Sequence, residues 1–144
     1  MKNTICTLVF LVCSISLSLA QAEVFGKWKT IDDETGDAKS IVEIFERDGK
    51  VYGKIIKLFR KPHEDPDPTC TKCLTDDPRY GQKVLGMEIM KDMIKDGDEY
   101  SGGEILKPDE GKIYRCKIWV VNGNLQVRGY LGFFFRTQEW LRVQ

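Results

Sequence analysis

The chain has 144 residues, 22 of them Lys or Arg and 22 Asp or Glu, so its formal net charge is zero. With its 31% charged residues interspersed, it offers no electrostatic case for nucleic acid or an anionic membrane as partner. Its size fits one domain with a real core.

Met1 to Ala22 reads as an export signal. Lys2 supplies the positive start, Ile5 to Ala20 the apolar region, and Ala20-Gln21-Ala22 an A-x-A cleavage site. The apolar run is short for a membrane span, and Val12 before Cys13 disfavours lipoprotein processing. Cleavage near Ala22 would leave residues 23–144 as the mature domain, periplasmic or secreted, and no later run is apolar enough to span a bilayer. Cys6 and Cys13 would leave with the leader, and Cys70, Cys73 and Cys116 would remain. An odd thiol count in an exported chain points to one disulfide and one free, buried cysteine.

Val24 to Thr30 is predicted as a first strand with a Gly26-x-Trp28 core, followed by a turn-rich stretch from Asp32 to Asp37. Ser40 to Glu46 and Val51 to Leu58 flank the hairpin turn Arg47-Asp48-Gly49-Lys50. Adjacent Ile55 and Ile56 leave the buried face of the third strand open. From Phe59 to Lys83, Pro62, Pro66, Pro68 and Pro78 with interleaved acids exclude a central strand and indicate a long ordered loop. Leu85 to Ile94 suits a strand or a helix. Glu99 to Leu106, with a bend at Gly102-Gly103, and Ile113 to Val121 are further strands. After the turn Asn122-Gly123-Asn124, the closing pair runs Leu125 to Gly132 and Phe134 to Arg142. The order gives an all-β, antiparallel up-and-down barrel of about eight strands with one long Pro-rich loop.

Within the closing pair, Phe134, Arg136, Gln138, Trp140 and Arg142 share one face, as do Gln126, Arg128 and Tyr130. If the Arg136 face points inward, aromatic walls and a guanidinium would make a site for an apolar ligand bearing a carboxylate. The bland reading is an outward polar face, or an arginine stacked on Trp28 to plug the barrel end. The expected ligand-binding set is Trp28, Arg128, Tyr130, Phe134, Arg136, Gln138 and Trp140. Phe133-Phe134-Phe135 is an exposed contact patch, a wall of the barrel mouth, or core packing at a sheet bend, the last being the ordinary outcome.

Cys70-Thr71-Lys72-Cys73 lies in the loop, without the strand-to-helix setting that activates a redox CxxC, so a structural disulfide is expected. His63-x6-Cys70-x2-Cys73 matches no standard zinc spacing, and Cys116 reads as core. No metal or cofactor is expected. One histidine, no phosphate loop and no paired carboxylates of evident spacing argue against an enzyme.

The order Gly26-Lys27-Trp28, Tyr52-Gly53-Lys54-Ile55, Ser101-Gly102-Gly103-Glu104-Ile105, Val127-Arg128-Gly129-Tyr130 and Arg136-Thr137-Gln138-x-Trp140 resembles the exported bacterial family named domain of unknown function 2147. The resemblance implies a small lipocalin-like barrel and no established activity. Gly26-x-Trp28 is also similar to the lipocalin start, where a basic residue of the last strand packs on the Trp; Arg136 and Arg142 are both eligible. Many family members carry cysteines near the second hairpin and in the closing strands. This chain has Arg47, Gly53, Tyr130 and Phe135 in those regions, so their disulfide pattern does not transfer.

The resulting expectation is an exported binding protein for a small apolar or amphipathic ligand. The competing expectation is a filled barrel serving as an envelope structural or interaction module. A thiol-disulfide enzyme using Cys70 and Cys73 is a third class.

Overall fold

Strands of alternating apolar and polar residues, separated by Gly-containing turns, can bury one face by curling the sheet onto itself. The computed structural model of the protein, which describes residues 23–144, shows this outcome. The expected export signal lies outside the described residues. Eight strands form: β1 Gly26–Ile31, β2 Ala38–Arg47, β3 Lys50–Leu58, β4 Glu88–Asp96, β5 Glu99–Lys107, β6 Lys112–Val121, β7 Asn124–Leu131 and β8 Phe134–Arg142. Each pairs antiparallel with its sequence neighbour, and β1 meets β8 to close the barrel. There is no helix among the described residues. The β1–β8 seam is short, with Trp28 opposite Arg142 and Lys29 opposite Leu141.

Two irregularities resolve what hydrophobic pattern leaves open. Val42 pairs with Ile55 but Ile41 pairs with Lys57, so Ile56 is an extra residue in the ladder. This bulge lets Ile55 point inward on one side and Leu58 on the other, and the Ile55-Ile56 doublet is its trace. In β4, Asp92 adopts a left-handed φ of 58°, and Met90 and Met93 are both fully buried. Apolar residues at 89, 90, 93 and 94 therefore imitate a helical period within a strand. Gly103 of β5 presses against this kink. A Cβ there would lie 2.1 Å from the Lys91 carbonyl oxygen, so no larger residue fits without moving backbone.

An up-and-down barrel places alternate connections at the same end. The β2–β3, β4–β5 and β6–β7 turns share the lower end with both ends of the barrel segment. That half is packed solid by Trp28, Val42, Ile44, Met90, Met93, Ile118 and Leu125. Trp28 is fully buried, and its indole Nε1 donates to the Val24 carbonyl at 2.7 Å. The Arg142 guanidinium stacks 4.1 Å from the Trp28 ring centre and donates to the Phe25 and Glu23 carbonyls. Arg142, not Arg136, plugs the lower end. Its place at the last paired position of β8 decides this.

The upper end carries the β1–β2 loop, the β5–β6 and β7–β8 turns, and the long segment between β3 and β4. That segment folds back on itself. Thr69 bridges Lys83, and the Cys70 amide donates to the Gln82 carbonyl. Cys70 and Cys73 are joined by a disulfide and buried, as expected for a loop tied down covalently. The disulfide packs against the β5–β6 turn, where Cys70 Sγ lies 3.5 Å from the Pro108 carbonyl oxygen. Gly111 sits under the segment, and a Cβ there would fall 1.7 Å from the Lys72 carbonyl oxygen.

Buried Arg79 anchors the rest of the segment. Its Nε and Nη2 donate to the two carboxylate oxygens of Asp77, at 2.9 and 2.7 Å, and Nη2 also reaches Glu104 at 2.9 Å. The Arg79 side chain holds the Asp77 carboxyl down to about 2, overriding the opposing effect of desolvation. Among the described residues Cys116 is the free, buried cysteine; desolvation alone pushes its thiol up to about 12, which makes it inert.

Candidate functional site

Above the packed floor the barrel opens into a cavity of about 820 Å³. Its walls come from all eight strands, among them Ile55 and Leu58 of β3, Ile89 of β4, Ile105 of β5, Val127 of β7 and Trp140 of β8. Val84 and Pro68 of the long segment close part of one side. The lower wall also has a small polar patch, in which the Thr30 and Ser40 hydroxyls bond to each other at 2.7 Å. The cavity thus has a mainly apolar body with one neutral polar patch, and its charged groups stand at the rim.

The rim is charged and internally paired. Lys39 lies 2.9 Å from Asp109 and 3.7 Å from Asp32. Desolvation would raise the Asp109 carboxyl, but the Lys39 ammonium outweighs it, and the carboxyl lies below its usual range. Glu110 bonds Lys107 and stands 3.5 Å from the Tyr114 hydroxyl, which lines the cavity. The Lys107 hydrogen bond lowers the Glu110 carboxyl in turn. Next to Asp32, Asp33 of the β1–β2 loop receives both the Arg136 guanidinium, at 3.2 Å, and the Gln138 amide. The Gln138 carbonyl faces the Trp140 indole nitrogen at 3.4 Å.

The expected ligand-binding residues divide into two groups. Phe134, Arg136, Gln138 and Trp140 line the cavity together, because their face of β8 is the inward one. Trp28, Arg128 and Tyr130 do not line it. Trp28 is sealed in the floor. Arg128 and Tyr130 take the outer face of β7, where inward Val127 and Gly129 alternate with them. Arg128 donates to Thr137 at 2.7 Å and stacks on the Trp119 and Phe135 rings. Phe133, Phe134 and Phe135 are all exposed rather than packed at a bend. The Cys70–Cys73 bond uses up the two thiols that a His63 metal set would need.

Sequence reasoning did not find Asp33, Lys39, Tyr114 or Asp109. Asp33 and Gln138 stand 105 positions apart, and no local pattern announces such a meeting.

The profile of the bacterial family described as "uncharacterized protein conserved in bacteria", domain of unknown function 2147, matches residues 26–142. The chain belongs to this family. The match runs from the first residue of β1 to the last of β8, so the family and the closed barrel are coextensive here. The fold is lipocalin-like. HP1028 from the human pathogen Helicobacter pylori, described as belonging to the lipocalin family, superposes with a TM-score of 0.69. The two share 23% identity over 85% of this chain and 84% of that one. No curated protein matches the chain. A barrel of this type is compatible with small-ligand binding in general. No helix among the described residues is long and apolar enough to cross a membrane.

Proposed function

We propose that the protein is an exported binding protein that holds a small, largely apolar ligand in the upper half of its barrel. The observation that carries this reading is the cavity itself. Its roughly 820 Å³ falls inside the range of about 300–1,000 Å³ typical of small-molecule sites. Ile55, Ile89, Val127 and Trp140 would hold the apolar body of the ligand. Arg136 and Gln138 would hold its polar end, a carboxylate by their geometry, since both already grip the carboxylate of Asp33. The buried disulfide and the barrel type support an exported setting, where such a bond persists. Binding rather than turnover is the proposed activity.

Native mass spectrometry of the protein purified from its own envelope tests this, followed by mild organic extraction. The expected result is a small molecule that co-purifies, is lost on extraction and is depleted in Arg136→Ala. Arg136 is 66% exposed, so its removal should leave the barrel folded, as circular dichroism would verify. A clean apo mass across preparations, or equal retention by the variant, would count against the reading.

One observation favours the second reading, that of an interaction module. The apolar residues around Phe133 form a contiguous exposed patch.

A further inference from the structure

The β7–β8 hairpin ends in a two-residue turn, Gly132-Phe133, closed by the pair Leu131 and Phe134. Gly132 takes a positive φ of 59°, which turns the chain tightly and leaves Phe133 at the apex. Phe133 is fully exposed, Phe134 is 81% exposed, Phe135 61% and Leu131 56%. Four consecutive large apolar side chains, interrupted only by glycine, thus project from the rim of the cavity. Isolated exposed hydrophobes are ordinary, but a contiguous cluster at a protruding tip is not.

Behind the tip, on the outer face, lie cations. Tyr130 pairs with Phe135 on one side and with Arg115 on the other. Arg128 stacks 4.6 Å from the Phe135 ring, and Arg115 stands 5.9 Å from the Tyr130 ring. Neither arginine forms an ion pair among the described residues. Glu104, opposite Arg115 in the ladder, is engaged by Arg79. Acids of the two flanking loops have cations of their own: Asp33 pairs with Arg136, Asp109 with Lys39 and Glu110 with Lys107. The tip therefore presents its apolar side chains beside two arginines that have no ion pair among the described residues, while these neighbouring acids are neutralised by partners of their own.

We propose that the β7–β8 tip is a membrane-docking element that seats the open end of the barrel on a bilayer containing anionic phospholipid. Phe133 and Phe134 enter the boundary between headgroups and acyl chains, while Arg115 and Arg128 meet lipid phosphates. Aromatic-stacked guanidinium groups suit this level, being weakly hydrated and still free to bond phosphate. Because the tip is part of the cavity rim, docking brings the cavity mouth to the lipid surface. Docking rests on the tip alone and stands whether or not the cavity takes a ligand.

The test uses residues 23–144, which carry the whole closed barrel, in flotation with two kinds of vesicle. One is phosphatidylcholine alone; the other is phosphatidylcholine mixed with phosphatidylglycerol. The protein is expected to float with the mixed vesicles, less with the neutral ones, and less as salt rises. Phe133→Ser/Phe134→Ser should lower partitioning at least about tenfold, since each side chain gives up apolar burial. Arg115→Gln/Arg128→Gln should cut the preference for the anionic vesicles by roughly fivefold per arginine. The strand signal in circular dichroism would verify that each variant keeps the barrel. In a separate variant, Phe133→Trp should shift its emission to the blue on adding mixed vesicles. Failure of the wild-type chain to float, or equal flotation of the phenylalanine variant, would overturn the proposal. So would a concentration-dependent dimer that the phenylalanine variant abolishes without any vesicle binding.

Discussion

The Arg136 guanidinium meets the Asp33 carboxylate 3.2 Å away, above the point where the β1–β8 ladder ends at Lys29 and Leu141. Side chains thus hold the upper seam that backbone pairing holds below. The same contact places a carboxylate of the chain itself on the proposed ligand anchor. A bound ligand carboxylate would have to displace Asp33.

Asp33→Asn should therefore strengthen binding of an anionic amphiphile. For an exposed pair the expected gain is roughly threefold. Arg136→Ala should weaken it by about tenfold, the value of a charge-assisted hydrogen bond. Titration with a fluorescent long-chain fatty acid and with its methyl ester would check both. The ester should bind all three proteins alike; equal effects on acid and ester would remove Arg136 as a carboxylate anchor.

The lower end should behave as a structural plug. Trp28→Ala empties a fully buried site and should cost about 3–5 kcal/mol, enough to threaten folding. Arg142→Ala removes the stacked guanidinium and its two carbonyl contacts, and should cost about 1–2 kcal/mol. Chemical denaturation of Arg142→Ala measures this. Its affinity for the fluorescent fatty acid should match wild type, because the floor lies between Arg142 and the cavity.

The long segment should be held by its disulfide and its dock on the β5–β6 turn. Cys70→Ser/Cys73→Ser should lose roughly 2 kcal/mol in the chain-entropy treatment of a short loop. Gly111→Ala should lift the segment off the turn, since backbone would have to move from the new Cβ. Limited proteolysis should show new cleavage between 60 and 84 in both variants, with the strand signal in circular dichroism retained. Resistance equal to wild type in Gly111→Ala would show that the dock tolerates the shift.

The Arg79 cluster should make the segment acid-sensitive. The Asp77 carboxyl titrates at about 2 in the folded protein, against 3.8 ordinarily. A lowered folded value adds stability that is fully present above about pH 4 and disappears as the pH falls toward about 2. Thermal midpoints across this window should fall in the wild type, and less steeply in Arg79→Met, where Asp77 has lost its partner. At neutral pH the same variant should be roughly 1–3 kcal/mol less stable, because the Asp77 carboxylate loses its cation and keeps only the backbone N–H of residue 79. Parallel acid profiles for the two proteins would sink this assignment.

By itself the sequence determined the barrel. Alternating strands, glycine-bearing turns and neighbour-to-neighbour order leave few other ways to bury one sheet face, and β8 is found where the pattern placed it, at Phe134–Arg142. It also determined that Arg136, Gln138 and Trp140 share a face, because strand parity is local. Only the tertiary structure decided which face of each closing strand points inward. That choice separates Arg128 and Tyr130 from the cavity and depends on packing across the whole barrel. The bulge at Ile56 and the kink at Asp92 were also hidden, since each breaks the periodicity from which a strand is read. The rim pairs were beyond reach for a further reason. Asp33 with Arg136, and Lys39 with Asp109, each join a loop to a strand far away in the chain, and closure of the sheet brings them together.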